Sequence, residues 1–382
     1  MIFSRHFRRF CTKVCLLSMF MWTFADFANA DVVWDGGGTD ANWTTGVNWD
    51  TNTAPDTITP ELIEFAGTIQ TITNNDFAAD ALTVTGIGFR NTVAGESFTL
   101  NGNRVWLDGD ITTLASSGSI EDTINLQLRL TGNRTINTGT NHNLTISGVI
   151  DEDGTSRSLT KLGTGVLKLS GANTFSGGMT IGNSANQSTN VVQIGVDSVG
   201  SAGSVTSSAL GTGTLTFLGA RLSSDGTTAR TIHNDVVLGT GGGNSAFLGD
   251  TVNTGELTFE GAMNLTGNRT VTVDSSVNLD GVVSGLSFDK FGSGTLTLNA
   301  ANTNVGFSVG AGRLVVNHAN ALGNDNRIQG SGTMEIANGL TIANALTIIN
   351  DGGNKTLDVT TGSATYSGTI TVEDGTDREF DV

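Results

Sequence analysis

Four short phrases place glycines where a phosphate loop would want them: Gly163-Thr-Gly165, Gly211-Thr-Gly213, Gly292-Ser-Gly294 and Gly330-Ser-Gly332. Backbone N–H groups of such turns cradle phosphates when a Gly-Lys-Ser/Thr follows, or when a third glycine opens a helix. No copy has either, so these are read as turn glycines. His142, His233 and His318 lie far apart, without metal-ligand spacing or a nucleophile motif, and are expected at solvated turn or strand positions. Acidic turns at Asp35 to Asp40, Asp151-Glu152-Asp153-Gly154 and Glu373 to Asp377 are the places where calcium would find clustered carboxylates. Asp151-x-Asp153-Gly154 lacks the remaining ligands of an EF-hand loop, so exposed turns are expected. Trp34, Trp43, Trp49 and Trp106 offer two options: ring faces for stacking on sugars, or large apolar side chains closing the end of a repetitive core. The cap is favoured. Arg134, Arg269 and Lys355 each follow an Asn, which suggests either a cationic row for an acidic glycan or, as expected here, pairing with the chain's surplus acids. No catalytic, cofactor or metal residue is assigned, and a non-enzyme is expected.

The elements that hold these residues follow from the flanks of the phrases. After each second glycine, apolar residues stand two and four positions on: Leu167 and Leu169, Leu215 and Phe217, Leu296 and Leu298, Met334 and Ile336. A tight turn running into a period-two strand, written four times, predicts stacked β units. A longer module surrounds the phrase. Asn133-Arg134-Thr135, Asn268-Arg269-Thr270 and Asn354-Lys355-Thr356 open it. Ser147-Gly148, Asp280-Gly281 and Ser367-Gly368 follow, and Leu159-Thr160-Lys161 or Phe288-Asp289-Lys290 leads into the glycines. The third module stops at Phe380-Asp381-Val382, which suggests either a piece of a longer protein or an end covered by something else. Ala-rich pieces at Phe77 to Leu82 and Asn317 to Leu322 fit a helical turn, and no sustained helical period exists. Strands separated by Gly/Asn turns fit antiparallel sandwiches or, preferred here, a right-handed parallel β-helix. In that fold like residues stack on like, and turn asparagines adopt left-handed backbone and form ladders.

Composition agrees. The chain has 382 residues with 52 Gly and only two Pro, Pro55 and Pro60, as long uninterrupted hydrogen-bond ladders require. Residues 1–30 read as a signal peptide: basic Arg5, Arg8, Arg9 and Lys13, a short apolar stretch from Val14 to Phe24, then Ala28-Asn29-Ala30. Arg8-Arg9 resembles a twin-arginine signal only weakly. The apolar stretch falls short of the ~20 residues of a membrane span. Removing four basic residues and Asp26 from totals of 19 and 36 leaves a net charge near −20, which repels nucleic acid and anionic lipid. Cys11 and Cys15 lie within residues 1–30, so the remainder has no disulfide, thiolate nucleophile or cysteine metal site. Residues 31–122, rich in Trp, are read as a cap continuous with the stack, and 123–382 as the repeat region.

One stretch carries a resemblance. Leu159-Thr-Lys-Leu-Gly-Thr-Gly-Val-Leu-Lys-Leu-Ser-Gly-Ala-Asn-Thr-Phe-Ser-Gly-Gly-Met-Thr180 closely resembles the hallmark of the autotransporter-associated β-strand, or passenger-associated transport, repeat family. Residues 287–309 resemble it in degraded form, with Asn304 in place of the aromatic and only Gly306 left of the glycine pair. The motif positions so identified are Lys161, Gly163, Gly165, Asn173, Gly177 and Gly178 in the first copy, and Lys290, Gly292, Gly294 and Asn302 in the second. The opening, with Trp34-Asp35-Gly36, Trp43, Trp49 and Phe65-Ala66-Gly67, is similar to that of many exported bacterial repeat proteins. The resemblance implies a secreted or cell-surface β-helical stalk, adhesin-like or structural, in a Gram-negative type of cell. The chain lacks the alternating strands of an outer-membrane barrel.

Three functions from different classes therefore stand: a structural or adhesive repeat protein, which repetition favours; a polysaccharide lyase or hydrolase, which would need a single non-repeating cluster of carboxylates and bases; and a carbohydrate-binding module centred on Trp34, Trp43 and Trp49. Surface glycans or other surface proteins are the expected partners.

Overall fold

A computed structural model describes residues 31–183, 188–239, 245–359, 361–373 and 380–381. The proposed signal peptide lies outside the described residues. Asp31–Trp34 pairs in parallel with Glu61–Phe65, which pairs with Thr83–Phe89, which pairs with Val105–Thr113. This first ladder continues through Arg134–Thr138, Leu159–Gly163 and Met179–Gly182 as far as Val283–Ser284. A second ladder of 14 strands runs from Ile72–Asn75 to Ile370–Val372. A third, of eight strands, begins at Arg230–Ile232 and includes Thr295–Leu298, Arg313–Val316, Thr333–Ile336 and Lys355–Val359. The chain is an all-β parallel solenoid of about 13 turns.

Among the described residues, paired strands run parallel except in one side excursion. Val199–Ser201 and Ser204–Ser207 there form an antiparallel hairpin joined to neither long ladder. The expected helical turns are single i→i+3 turns, closed by Ala81 N–H on Ala78 O (3.0 Å) and Ala321 N–H on His318 O (3.0 Å).

Period-two alternation works here because parallel stacking, which slips register only among the opening strands Glu61–Phe65, Thr83–Phe89 and Val105–Thr113, puts every second side chain above its counterpart in the previous turn. Leu144, Leu167, Val192, Leu222, Leu248 and Val273 pair successively in the second ladder and form one fully buried column. On the third ladder Leu257, Val277, Leu296, Leu314 and Met334 form another. Each such side chain contributes about 1.5–3 kcal/mol by leaving water, and the columns merge into a single continuous core.

The N-terminal end of that core is closed by aromatics. Trp34 meets Trp49 edge-on with centroids 5.2 Å apart, and Trp43 lies 6.1 Å from Trp49 and 5.7 Å from Phe65. Phe65 continues the stack onto Phe89 and Phe98. Trp34 belongs to the first strand of the first ladder, Asp31–Trp34, which pairs with Glu61–Phe65.

Candidate functional site

The first glycine of every Gly-x-Gly phrase has a left-handed backbone: Gly163 at φ +80°, Gly211 at +75°, Gly292 at +81° and Gly330 at +57°. The second glycine meets a different demand. A Cβ on Gly165, Gly213, Gly294 or Gly332 would come within 2.1 to 2.4 Å of a carbonyl oxygen in the turn below: His142, Ser176, Ser275 or Val309 respectively. The phrase thus turns the corner with its first glycine, and both glycines let adjacent turns touch. Gly178, also left-handed at φ +87°, and Gly177, crowded against the Arg157 carbonyl, repeat the device before Met179.

The lysine that precedes two of the phrases points into the stack. Lys161 is fully buried, and its Nζ donates to Leu162 O (2.7 Å) and Gly163 O (3.0 Å). Lys290, equally buried, donates to Gly292 O (2.9 Å), Phe291 O (3.3 Å) and, one turn on, Ala311 O (2.9 Å). The ammonium groups tie up corner carbonyls that the tight turn leaves unpaired inside the core. Burial pushes Lys161 down to about 7 and Lys290 to about 8, where the Asp274 carboxylate opposes the shift.

The motif asparagine joins three turns. In the first copy, Asn173 Oδ1 accepts the Ile150 N–H (2.8 Å) from the turn below, and its Nδ2 donates to Ala209 O (2.7 Å) above. Asn302 repeats this, accepting from Val283 N (2.7 Å) and donating to Ala321 O (2.8 Å).

The arginines that open the modules are also structural. Arg134 Nε donates to Leu107 O (3.2 Å) and its guanidinium to Thr131 Oγ1 (2.9 Å), with Asp108 at 2.6 Å. Arg269 makes the equivalent bonds to Leu238 O (3.1 Å) and Thr266 Oγ1 (2.9 Å). Lys355 pairs with Asp351 at 2.8 Å. These three residues lie on the first, second and third ladders respectively, so they form no common row. The two motif lysines are displaced in the same way, Lys161 on the first ladder and Lys290 on the second. Within each copy the relation is kept: Leu159 stacks on Arg134 and Phe288 on Arg269.

One expectation and one weighed alternative are corrected. His142 is not solvated. It is fully buried beside a fully buried Asp122, whose Oδ2 contacts His142 Nε2. His142 Nδ1 donates to Leu114 O (2.7 Å), and Asp122 Oδ1 accepts the Phe98 N–H (2.7 Å). Burial pushes the Asp122 carboxyl up, against the lowering effect of the His142 and Phe98 hydrogen bonds. Sealed from solvent, this pair has no room for a substrate. The sequence carried no sign of it, because the partners meet only through stacking of successive turns. The second correction concerns Trp34, Trp43 and Trp49: all three are fully buried in the cap, leaving no ring face for a pyranose. Trp106, partly exposed, is covered by the Arg129 guanidinium at 5.2 Å.

The acidic turns are likewise occupied. Asp151 pairs with Arg129 (2.7 Å) and Arg104 (3.1 Å), and Asp153 with Arg157 (2.8 Å). Asp40 accepts from Asn42 N and Thr45 Oγ1, each at 3.0 Å, and these bonds hold its carboxyl below the usual range. Residues 374–377 lie outside the described residues. Among the described residues, no group of three or more His, Cys, Asp or Glu is placed to hold a metal ion. His233 meets Glu260 at 3.2 Å, and His318 Nδ1 accepts the Asn320 N–H.

No helix among the described residues is long and apolar enough to cross a membrane. Comparison with curated proteins and with solved structures gives no match. The family model of the passenger-associated-transport-repeat matches residues 159–184 and 288–316, the two segments whose glycines, lysines and asparagines build the corners just described. The chain is therefore a parallel β-solenoid in which two segments match the passenger-associated-transport-repeat family model.

Proposed function

We propose that this chain is an exported, passenger-like protein displayed at or released from the surface of a Gram-negative-type cell. Its work there is extension and adhesion rather than catalysis, with surface glycans or other surface proteins as partners. One observation carries the reading: the defining side chains of both family repeats are turned into the stack and bonded to its own backbone, Lys161 and Lys290 to corner carbonyls, Asn173 and Asn302 across turns. A motif engaged in this way is a device for building length. The basic, apolar and small-residue order of residues 1–30 supports export.

The test is to express the full chain and a version lacking residues 1–30 in a Gram-negative host, then fractionate the cells and treat them with external protease. Recovery of the full chain in the envelope or medium, with the shortened version retained in the cytoplasm, is the expected outcome. Equal retention of both would overturn the export reading. Incubation with neutral and acidic polysaccharides is expected to release no new chain ends.

A further inference from the structure

The degraded second repeat has an outer face unlike the first. In the first copy Phe175, in the motif's aromatic position, is fully buried and the chain re-enters the first ladder at Met179. In the second, Asn304 stands there instead, Val305 takes the buried place, and the chain re-enters the second ladder at Gly306. A groove of about 380 Å³ opens on the outside of that ladder, within the size range of small-ligand sites.

Register builds it. Asp289, Ser308 and Arg327 pair in succession across three turns and point outward, opposite the inward Phe288, Phe307 and Ile328. The middle turn offers only Gly306 and Ser308 on this side, so it forms a floor between taller walls, and Ser308 is just 4% exposed although it faces out. Asp289 bonds to Ser308 on that floor, and burial raises its carboxyl despite this bond and the nearby Arg327. Arg327 is held by a bidentate pair with Asp325 (2.8 and 2.9 Å). Asn304 and Asp325, at φ +54° and +59°, are two of the six non-glycine residues with left-handed backbone among those described, and both line this groove with Asn324. Leu286, 62% exposed, supplies an apolar patch on the wall.

We propose that this groove binds a neutral saccharide. Amide and carboxylate groups converging on a floor suit vicinal hydroxyls, which both donate and accept, and Leu286 suits the C–H face of a ring. The one cation in the lining is already engaged by Asp325, and the chain's net charge is −17, so uronates, sialates and phosphates are disfavoured. The proposal deepens the glycan-partner part of the surface-protein reading, and its failure is distinguishable from failure of the export reading, since binding is measured on purified protein whatever compartment the chain reaches.

The experiment is titration calorimetry of the full chain with cellohexaose, xylohexaose, mannohexaose and chitohexaose, and with polygalacturonate and hyaluronate for comparison. At least one neutral oligomer is expected to bind. Asp289→Ala and Asn324→Ala should weaken it about tenfold or more, while the distant exposed Thr53→Ala leaves it unchanged. Leu286→Ala, at an exposed position with little bearing on folding, should weaken it as well and serves if Asp289→Ala fails to fold. Absence of binding by every neutral oligomer, tighter binding of the acidic polymers, or affinity untouched by Leu286→Ala would overturn the proposal.

Discussion

At the scale of single residues, a phrase glycine and an ordinary turn glycine make separable predictions. Gly154 and Gly163 are both left-handed, but a Cβ on Gly154 meets open space, while one on Gly163 would lie 2.0 Å from Thr138 O. Gly154→Ala should cost only the conformational penalty, about 1–2 kcal/mol. Gly163→Ala should cost clearly more, because backbone of the adjacent turn must move. Urea midpoints of the two variants check the order. The buried lysines predict a pH dependence. Lys161 titrates near 7 when folded against the ordinary value of 10.5, and Lys290 near 8, so between those values the unfolded chain holds more protons. Stability should therefore rise from about pH 7 to about pH 10, and below pH 7 the full cost of burying charge is present. The double variant Lys161→Met, Lys290→Met should flatten that rise in urea titrations at successive pH values. A rise of unchanged size would mean the lysines are not its source.

At the scale of elements, the motif asparagine couples three successive turns. Asn173→Ala should leave the Ile150 N–H and the Ala209 carbonyl unpaired in the core. The cost should be about 1–3 kcal/mol per orphaned group, and the Ile150 amide should exchange faster with solvent. Equal protection of that amide in the variant would remove the asparagine from this role. Much of the architecture was legible at this scale. The period-two pairs after Gly165, Gly213, Gly294 and Gly332 are all inward-facing, and the expected Asn ladders exist, as in Asn101 to Asn125 (2.8 Å) and Asn299 to Asn317 (2.8 Å). What escaped the sequence is what depends on turn length. Asp122 and His142 belong to adjacent turns of the second ladder, and only the register, with His142 over Ile120, brings them together. The groove at Asp289 escaped for the same reason. Ser308 and Arg327 join it only after one and two further circuits of the chain.

For the whole molecule, a stack of about 13 turns predicts an elongated particle, and small-angle scattering should give a maximum dimension well above that of a sphere of the same mass. Its two described ends differ. Trp34, Trp43 and Trp49 close one, so Trp43→Ala should cost about 3–5 kcal/mol, as large core truncations do. Tryptophan emission should be blue-shifted and poorly quenched by acrylamide, with Trp106 the most accessible of the four. At the other end Ile370 and Val372 are 38% and 57% exposed, and burial of the Tyr366 hydroxyl pushes it up to about 12. In a linear stack each turn leans on its neighbours. Amide protection should therefore decline toward residues 365–372, a gradient that exchange mass spectrometry would read directly.

The change of ladder between the two family repeats has a geometric sequel. Lys161 sits on one side of the prism and Lys290 on another, so a copied module arrives at a new azimuth and its outward residues look in a different direction. Two copies that begin identical would at once have different neighbours and different views of the surroundings. The corner residues, whose partners are internal to the motif and the turns beside it, can stay alike while the flanks diverge. Duplication in such a rod therefore works as a rotation as well as an extension, and a binding face such as the Asp289 groove can arise on one copy while the other remains plain scaffold.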